Sequence, residues 1–319
     1  MYITGIHCGC VVSTLLLALS FADHAAATTT TANVSAFVSG HTVSDSDSAG
    51  AGGAHALASQ TIPTPAGGIF VTAEASSAPG AVRATGDVRT YGGGGLQAQG
   101  KAIWVDTFAI QSAGMGGMTG TFSGSVQVNG SLIVEITGRS YADTQIYADV
   151  SIETDTGPNG GSAGAHGSAR RLIGYDIGDT TTGNASFTLQ FLNVPFTFGS
   201  DIDVSLQLFV TADVNAVDGG ATGRALADYG HTMSWGGLSQ VRDSSGNLLT
   251  GYTAVSAGSG FNFATPVPEP GSGVLLLAGL LVTGCWRRAA INSAATQLST
   301  LLHPHVRGGA RCEAGTPTA

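Results

Sequence analysis

The sequence predicts an all-β protein, an antiparallel β-sandwich of jelly-roll-like plan, and three observations predict it. From residue 202 to 214 (IDVSLQLFVTADV), Ile202, Val204, Leu206, Leu208, Val210, Ala212 and Val214 share one parity, the strict period of two of a half-buried strand. No window of the body carries apolar residues at helical spacing. Strand-like runs recur at short intervals with turn residues between them, which is the rhythm of sandwiches and barrels.

Taken in chain order, residues 102–110 (AIWVDTFAI) read as a strand. Residues 121–128 and 131–137 flank Asn129-Gly130, the preferred pair for a type I′ turn, and so read as a hairpin. Residues 144–153 (TQIYADVSIE) add a strand, and 186–192 (SFTLQFL) another, with Phe187, Leu189 and Phe191 inward. Asp243-Ser244-Ser245-Gly246-Asn247 reads as a turn between residues 238–241 and 248–252. Tracts of Gly, Ala and Ser at 44–59, 91–100 and 157–169 read as flexible loops.

Composition narrows the function classes. Of 319 residues only 10% are charged and 7% aromatic, while 48 are glycine, so short strands and tight turns are favoured over helices. Residues 28–264 hold 8 Arg and Lys against 18 Asp and Glu. A body this acidic repels phosphate backbones, which excludes nucleic acid as a partner. The four cysteines, Cys8, Cys10, Cys285 and Cys312, all lie in the terminal segments, so the body folds without disulfide, thiolate nucleophile or cysteine-bound metal.

The two ends read as addresses. Residues 11–19 (VVSTLLLAL) have the length of a secretory signal core, and Ala25-x-Ala27 supplies the small residues of a cleavage site after Ala27. Near the other end, Pro266, Pro268 and Pro270 disfavour helix. Sixteen uncharged residues, Gly271 to Trp286, then precede Arg287-Arg288. As a helix that run reaches about 24 Å, a short membrane span whose arginines stay cytoplasmic. The organisation is thus a signal peptide (1–27), a β-sandwich body (28–264), a sorting segment with a short transmembrane helix (265–288), and a basic tail without expected structure (289–319).

The order Val267-Pro268-Glu269-Pro270, apolar run from Val274 to Val282, Arg287-Arg288 resembles the PEP-CTERM sorting signal of exported bacterial proteins. The resemblance implies recognition and processing by an exosortase, an integral-membrane enzyme, in a bacterium that makes exopolysaccharide. It also implies transient anchoring in the inner membrane, then residence at the cell surface or in the extracellular matrix. Residues 191–198 (FLNVPFTF), 227–233 (ADYGHTM) and Val241-Arg242-Asp243 also resemble a pattern common among such proteins, which implies a surface β-domain and not an enzyme. The thirty-one residues beyond Arg288 depart from the family, whose members usually stop soon after the basic cluster.

Chemistry-bearing residues are scattered. His41, His55, His166 and His231 are isolated, with no ligand-pair spacing, and no cofactor is expected. Asp45-x-Asp47, Glu153-x-Asp155 and Asp201-x-Asp203 pair carboxylates as calcium sites do, yet none continues into a full loop motif, so they read as solvated turn and edge residues. Gly92 to Gly95 lacks the Lys and Ser/Thr of a phosphate loop. A structural or adhesive role is the expectation. A non-catalytic carbohydrate-binding module, with Trp104 and Trp235 as candidate stacking platforms against extracellular polysaccharide, stands second. A glycan-cleaving enzyme with two opposed carboxylates stands third.

Overall fold

One face of residues 202–214 must be buried and the other wet, and the chain satisfies this as a single sixteen-residue strand, Asp201–Ala216, whose even-numbered side chains are all buried. The structure, a computed structural model, describes residues 29–38, 41–50, 52–63, 68–92, 94–154, 161–173, 180–217 and 220–267. In chain order the strands are β1 (Thr29–Val38), β2 (His41–Ala49), β3 (Ala54–Ile62), β4 (Gly68–Ala78), β5 (Ala81–Tyr91), β6 (Gly94–Gln111), β7 (Thr119–Val128) and β8 (Ser131–Thr137). There follow β9 (Ser140–Thr154), β10 (Gly161–Ile173), β11 (Thr180–Asn184), β12 (Phe187–Thr197), β13 (Asp201–Ala216), β14 (Thr222–Asp243) and β15 (Thr253–Val255). No helix occurs among the described residues.

Two antiparallel sheets result. The first runs β10-β9-β13-β6-β1-β2, with β15 beside the end of β6. The second runs β11-β8-β14-β5-β4-β3, with β7 also against β14 and β12 against β7. They pack face to face as a sandwich, with β10 over β12, β13 over β5 and β14, and β1 over β4. At seven and eight strands the sheets exceed those of an eight-stranded jelly roll.

The Asn129-Gly130 hairpin is corrected. Strands β7 and β8 do not pair with each other; both lie along β14, with Val128 opposite Met233 and Ser131 opposite Asp228. Neither Asn129 nor Gly130 has the positive φ that a type I′ turn requires. The link is a jog in one extended path, and β11–β12 runs beside it in the same way. Gly130 N–H donates to Ser186 Oγ (3.2 Å) and Gly130 O accepts Ala185 N–H (3.0 Å). Partners on both sides take the hydrogen bonds that a hairpin would have made internally.

The glycine- and alanine-rich tracts are corrected too. Residues 44–49 lie in β2, 54–59 in β3, 94–100 in β6 and 161–169 in β10. Their small side chains suit places where backbones approach closely. A Cβ on Gly167 of β10 would lie 2.5 Å from the Phe187 ring of β12, so a larger residue there would have to displace that ring.

The turn at residues 243–247 forms as expected: Asp243 Oδ1 accepts the N–H groups of Ser245 and Asn247, both at 2.9 Å. Beyond it, residues 248–252 make only a bridge from Leu248 to Arg242. In β12 a bulge between Phe191 and Val194 places Asn193 at φ 53°, and its N–H donates to Ser123 Oγ at 3.0 Å.

Aromatic side chains concentrate in one part of the core. Phe263 stacks on Phe108 (4.1 Å between ring centres) and on Trp104 (5.5 Å), while Phe191 stacks on Trp235 (5.3 Å). The β1–β4 part of the core is rich in alanine, including Ala32, Ala36, Ala56 and Ala73, beside Val38 and Val71.

Candidate functional site

Trp104 and Trp235 are both 0% exposed and belong to this core. Trp235 Nε1 donates to Phe263 O at 2.8 Å. A ring that stacks on a sugar must meet solvent, so neither tryptophan is a platform; both are packing residues. Of the sorting segment, Val267 is described and half-buried, whereas Pro268, Glu269, Pro270, Arg287 and Arg288 lie outside the described residues, as do Ala25 and Ala27 of the cleavage site.

The carboxylate pairs have separate employments. Asp45 Oδ2 accepts Leu57 N–H (3.0 Å) and Asp47 Oδ2 accepts His55 N–H (2.9 Å), so β2 of one sheet satisfies free donors on edge strand β3 of the other. Asp203 Oδ1 accepts Thr107 Oγ1–H at 2.5 Å, and Glu153 stands opposite Asp203 in register. Asp155 lies outside the described residues. His55 Nε2 meets Glu74 Oε1 at 3.0 Å in the open. No group of three or more His, Cys, Asp or Glu able to hold a metal ion occurs among the described residues.

One buried carboxylate escaped the sequence reading. Asp106 is 1% exposed; Oδ1 accepts Ser256 Oγ–H (2.7 Å) and Oδ2 accepts Ser259 Oγ–H (2.5 Å), which fastens the turn before Phe261 to β6. The signal was present, since Asp106 shares the inward parity of Trp104 and Phe108.

The outer face of the first sheet gathers the remaining polar and aromatic groups. Register places Lys101, Phe209 and Tyr147 in one row across β6, β13 and β9, and Ile103, Gln207, Asp149 and His166 in the next, which extends to β10. The Tyr147 and His166 rings lie nearly parallel, 6.4 Å between centres. Partial burial raises the Asp149 carboxyl above its ordinary range, against the opposing pull of His166 and of the Tyr147 hydroxyl that donates to it.

Nearer the end of the sheet, a third row runs Phe37, Gln97, Asp213, Asp143 across β1, β6, β13 and β9. Arg170 of β10 grips Asp143 with two nitrogens, Nε to Oδ1 at 2.9 Å and Nη2 to Oδ2 at 2.6 Å. Asp213 has no such cation. Burial pushes its carboxyl up to about 6; hydrogen bonding from Gln97 pulls the other way, and the neighbouring Asp143 charge adds to the rise. Above this row opens a cleft of about 500 Å³ bounded by Phe37 and Tyr141.

The second sheet presents a smaller cleft, about 420 Å³, beside Arg89, Arg224 and Tyr91. Its guanidinium groups are engaged: Arg89 Nη2 meets Asp87 Oδ2 at 2.5 Å, and Arg224 lies 3.6 Å from Asp87 and 3.8 Å from Glu135. With those charges balanced, it is not a built anion site.

Compared with family models, with curated proteins and with solved structures, the chain matches none.

Proposed function

We propose that this is an exported, non-catalytic protein of the cell surface or extracellular matrix, structural or adhesive in role, and sorted by an exosortase-type membrane enzyme. One observation carries the reading. The compact β unit runs to Pro266, directly before Val267, the first residue of the Val267-Pro268-Glu269-Pro270 motif. The compact body therefore adjoins the candidate recognition peptide, and Pro266, Pro268 and Pro270 disfavour helix across that junction. Membrane attachment through residues 271–286 precedes processing, and extracellular polysaccharide is the polymer the body meets afterwards. The glycan-cleaving alternative draws no support from Asp143 and Asp213, because Arg170 engages the Asp143 carboxylate on both oxygens.

Fractionation tests this reading. In a strain that has an exosortase, wild type should reach the surface, whereas Glu269→Ala, or Pro268→Ala with Pro270→Ala, should be exported but retained in the inner membrane. Equal surface delivery of all three overturns it.

A further inference from the structure

We propose that the cleft between Phe37 and Tyr141, on the outer face of the first sheet, binds a neutral oligosaccharide. The side chains and register of four strands build it. Phe37 on β1, 41% exposed, forms one wall, and Tyr141 on β9 the other. Between them, β6 contributes Gly95 and Gln97, and β13 contributes Asp213 and Asn215. The walls stand three strands apart, about 15 Å at ordinary strand spacing, which makes a bed longer than one sugar ring.

Each part suits a pyranose chain. Aromatic walls receive the C–H faces of sugar rings, while a few fixed polar groups between them orient hydroxyls. Asn215 offers an amide donor and acceptor, while Gln97, whose Oε1 accepts from Gln99 Nε2 (2.9 Å), hydrogen-bonds the Asp213 carboxylate and steadies it as an acceptor. Gly95 leaves part of the hollow's floor bare. A Cβ built there meets nothing within 4 Å, so the space above it is open.

Charge selects the class of ligand. The groups facing Asp213 are Gln97 from β6, Asp143 and Tyr141 from β9, and Arg170 from β10, whose cation is committed to Asp143. The bed is therefore anionic near neutral pH and repels uronates, sulfates and phosphates. An uncharged, hydroxyl-rich chain meets no repulsion there, and the two aromatic walls suit its C–H faces, a feature that attraction for cations alone would not require. The proposal rests on the reading of the body as a non-catalytic surface protein, but it fails separately, since processing at residues 267–270 does not involve this cleft.

Titration of the full-length chain, in mild detergent, with neutral hexasaccharides of glucose, galactose and mannose tests the proposal, with hexagalacturonate and hexaglucosamine beside them. At least one neutral chain should bind, hexagalacturonate should not, and Phe37→Ala and Tyr141→Ala should each weaken binding about tenfold. Gly95→Leu puts a side chain into the hollow from an exposed position where a Cβ meets nothing within 4 Å, and should abolish binding while the melting temperature stays within a degree or two of wild type. No binding by any neutral chain at millimolar concentration overturns the proposal. So does binding that survives Gly95→Leu, or preference for hexaglucosamine over every neutral chain, which would make the site a reader of positive charge.

Discussion

Asp45 and Leu57 join the two sheets across an open margin: Oδ2 of Asp45, on β2, accepts the N–H of Leu57, on β3, at 3.0 Å. Asp47 repeats the contact with His55 N–H at 2.9 Å. Edge strands expose unpaired donors and invite pairing with other chains, and here two carboxylates occupy those donors. Asp45→Ala with Asp47→Ala should lower the melting temperature by a few degrees and promote aggregation, at about 1 kcal/mol per lost bond. Amide exchange at His55 and Leu57 should accelerate selectively in that variant. Because both carboxylates already serve backbone donors, a calcium chelator should leave the wild-type melting temperature unchanged.

Asp106 should prove the most sensitive carboxylate in the body. Asp106→Ala strips Ser256 Oγ and Ser259 Oγ of their acceptor inside the core, and that class of change costs about 2–4 kcal/mol. Urea unfolding should show the loss as a lower midpoint with an unchanged slope. A midpoint equal to wild type would mean that the 256–259 turn is held by other contacts.

The two tryptophans should behave as packing residues. Trp104→Ala should cost about 3–5 kcal/mol, the usual range for a fully buried large side chain. Trp235→Phe, which loses the bond to Phe263 O, should cost about 1–3 kcal/mol. Polysaccharide binding by the folded Trp235→Phe protein should equal that of wild type.

Strand positions were legible because burial on one face imposes a period of two, and Leu206 with its neighbours shows that period without interruption. Pairing was not legible. Asn129-Gly130 has the local chemistry of a hairpin, but partners supplied by β14 and β11–β12, far away in sequence, outweigh a two-residue preference. Residues 54–58 (AHALA) form a strand where the sequence predicts a loop, because their alternation runs against hydrophobicity: Ala54, Ala56 and Ala58 are buried, whereas Leu57 is 49% exposed. Only the closeness of the facing sheet, unseen in sequence, makes alanine the inward residue. The surroundings of Asp213 depend in the same way on register with Gln97 and Asp143, so nothing local to residue 213 announces them.

Asp213 gives the body a characteristic response to pH. Its folded pKa is raised to about 6, above that of a solvated carboxyl, so the folded state holds the proton more tightly than the unfolded state does. Its ionisation therefore opposes folding. Stability should rise as pH falls from 7.5 through 6 towards 5, by about 1.4 kcal/mol from this group over that window. Other carboxyls titrate in the opposite sense at lower pH, so the comparison with Asp213→Asn isolates the effect. Wild type should gain more in melting temperature between pH 7.5 and 5 than the variant does, and equal gains would remove Asp213 as the cause.

Intact mass of the protein recovered from the cell surface tests the sorting reading most directly. If an exosortase processes the chain at the segment beginning with Val267, the recovered species lacks Trp286, Arg287, Arg288 and the tail to Ala319, and its N-terminus is Thr28. A surface species that retains Trp286 and runs to Ala319 contradicts the reading and leaves the apolar run as a plain anchor.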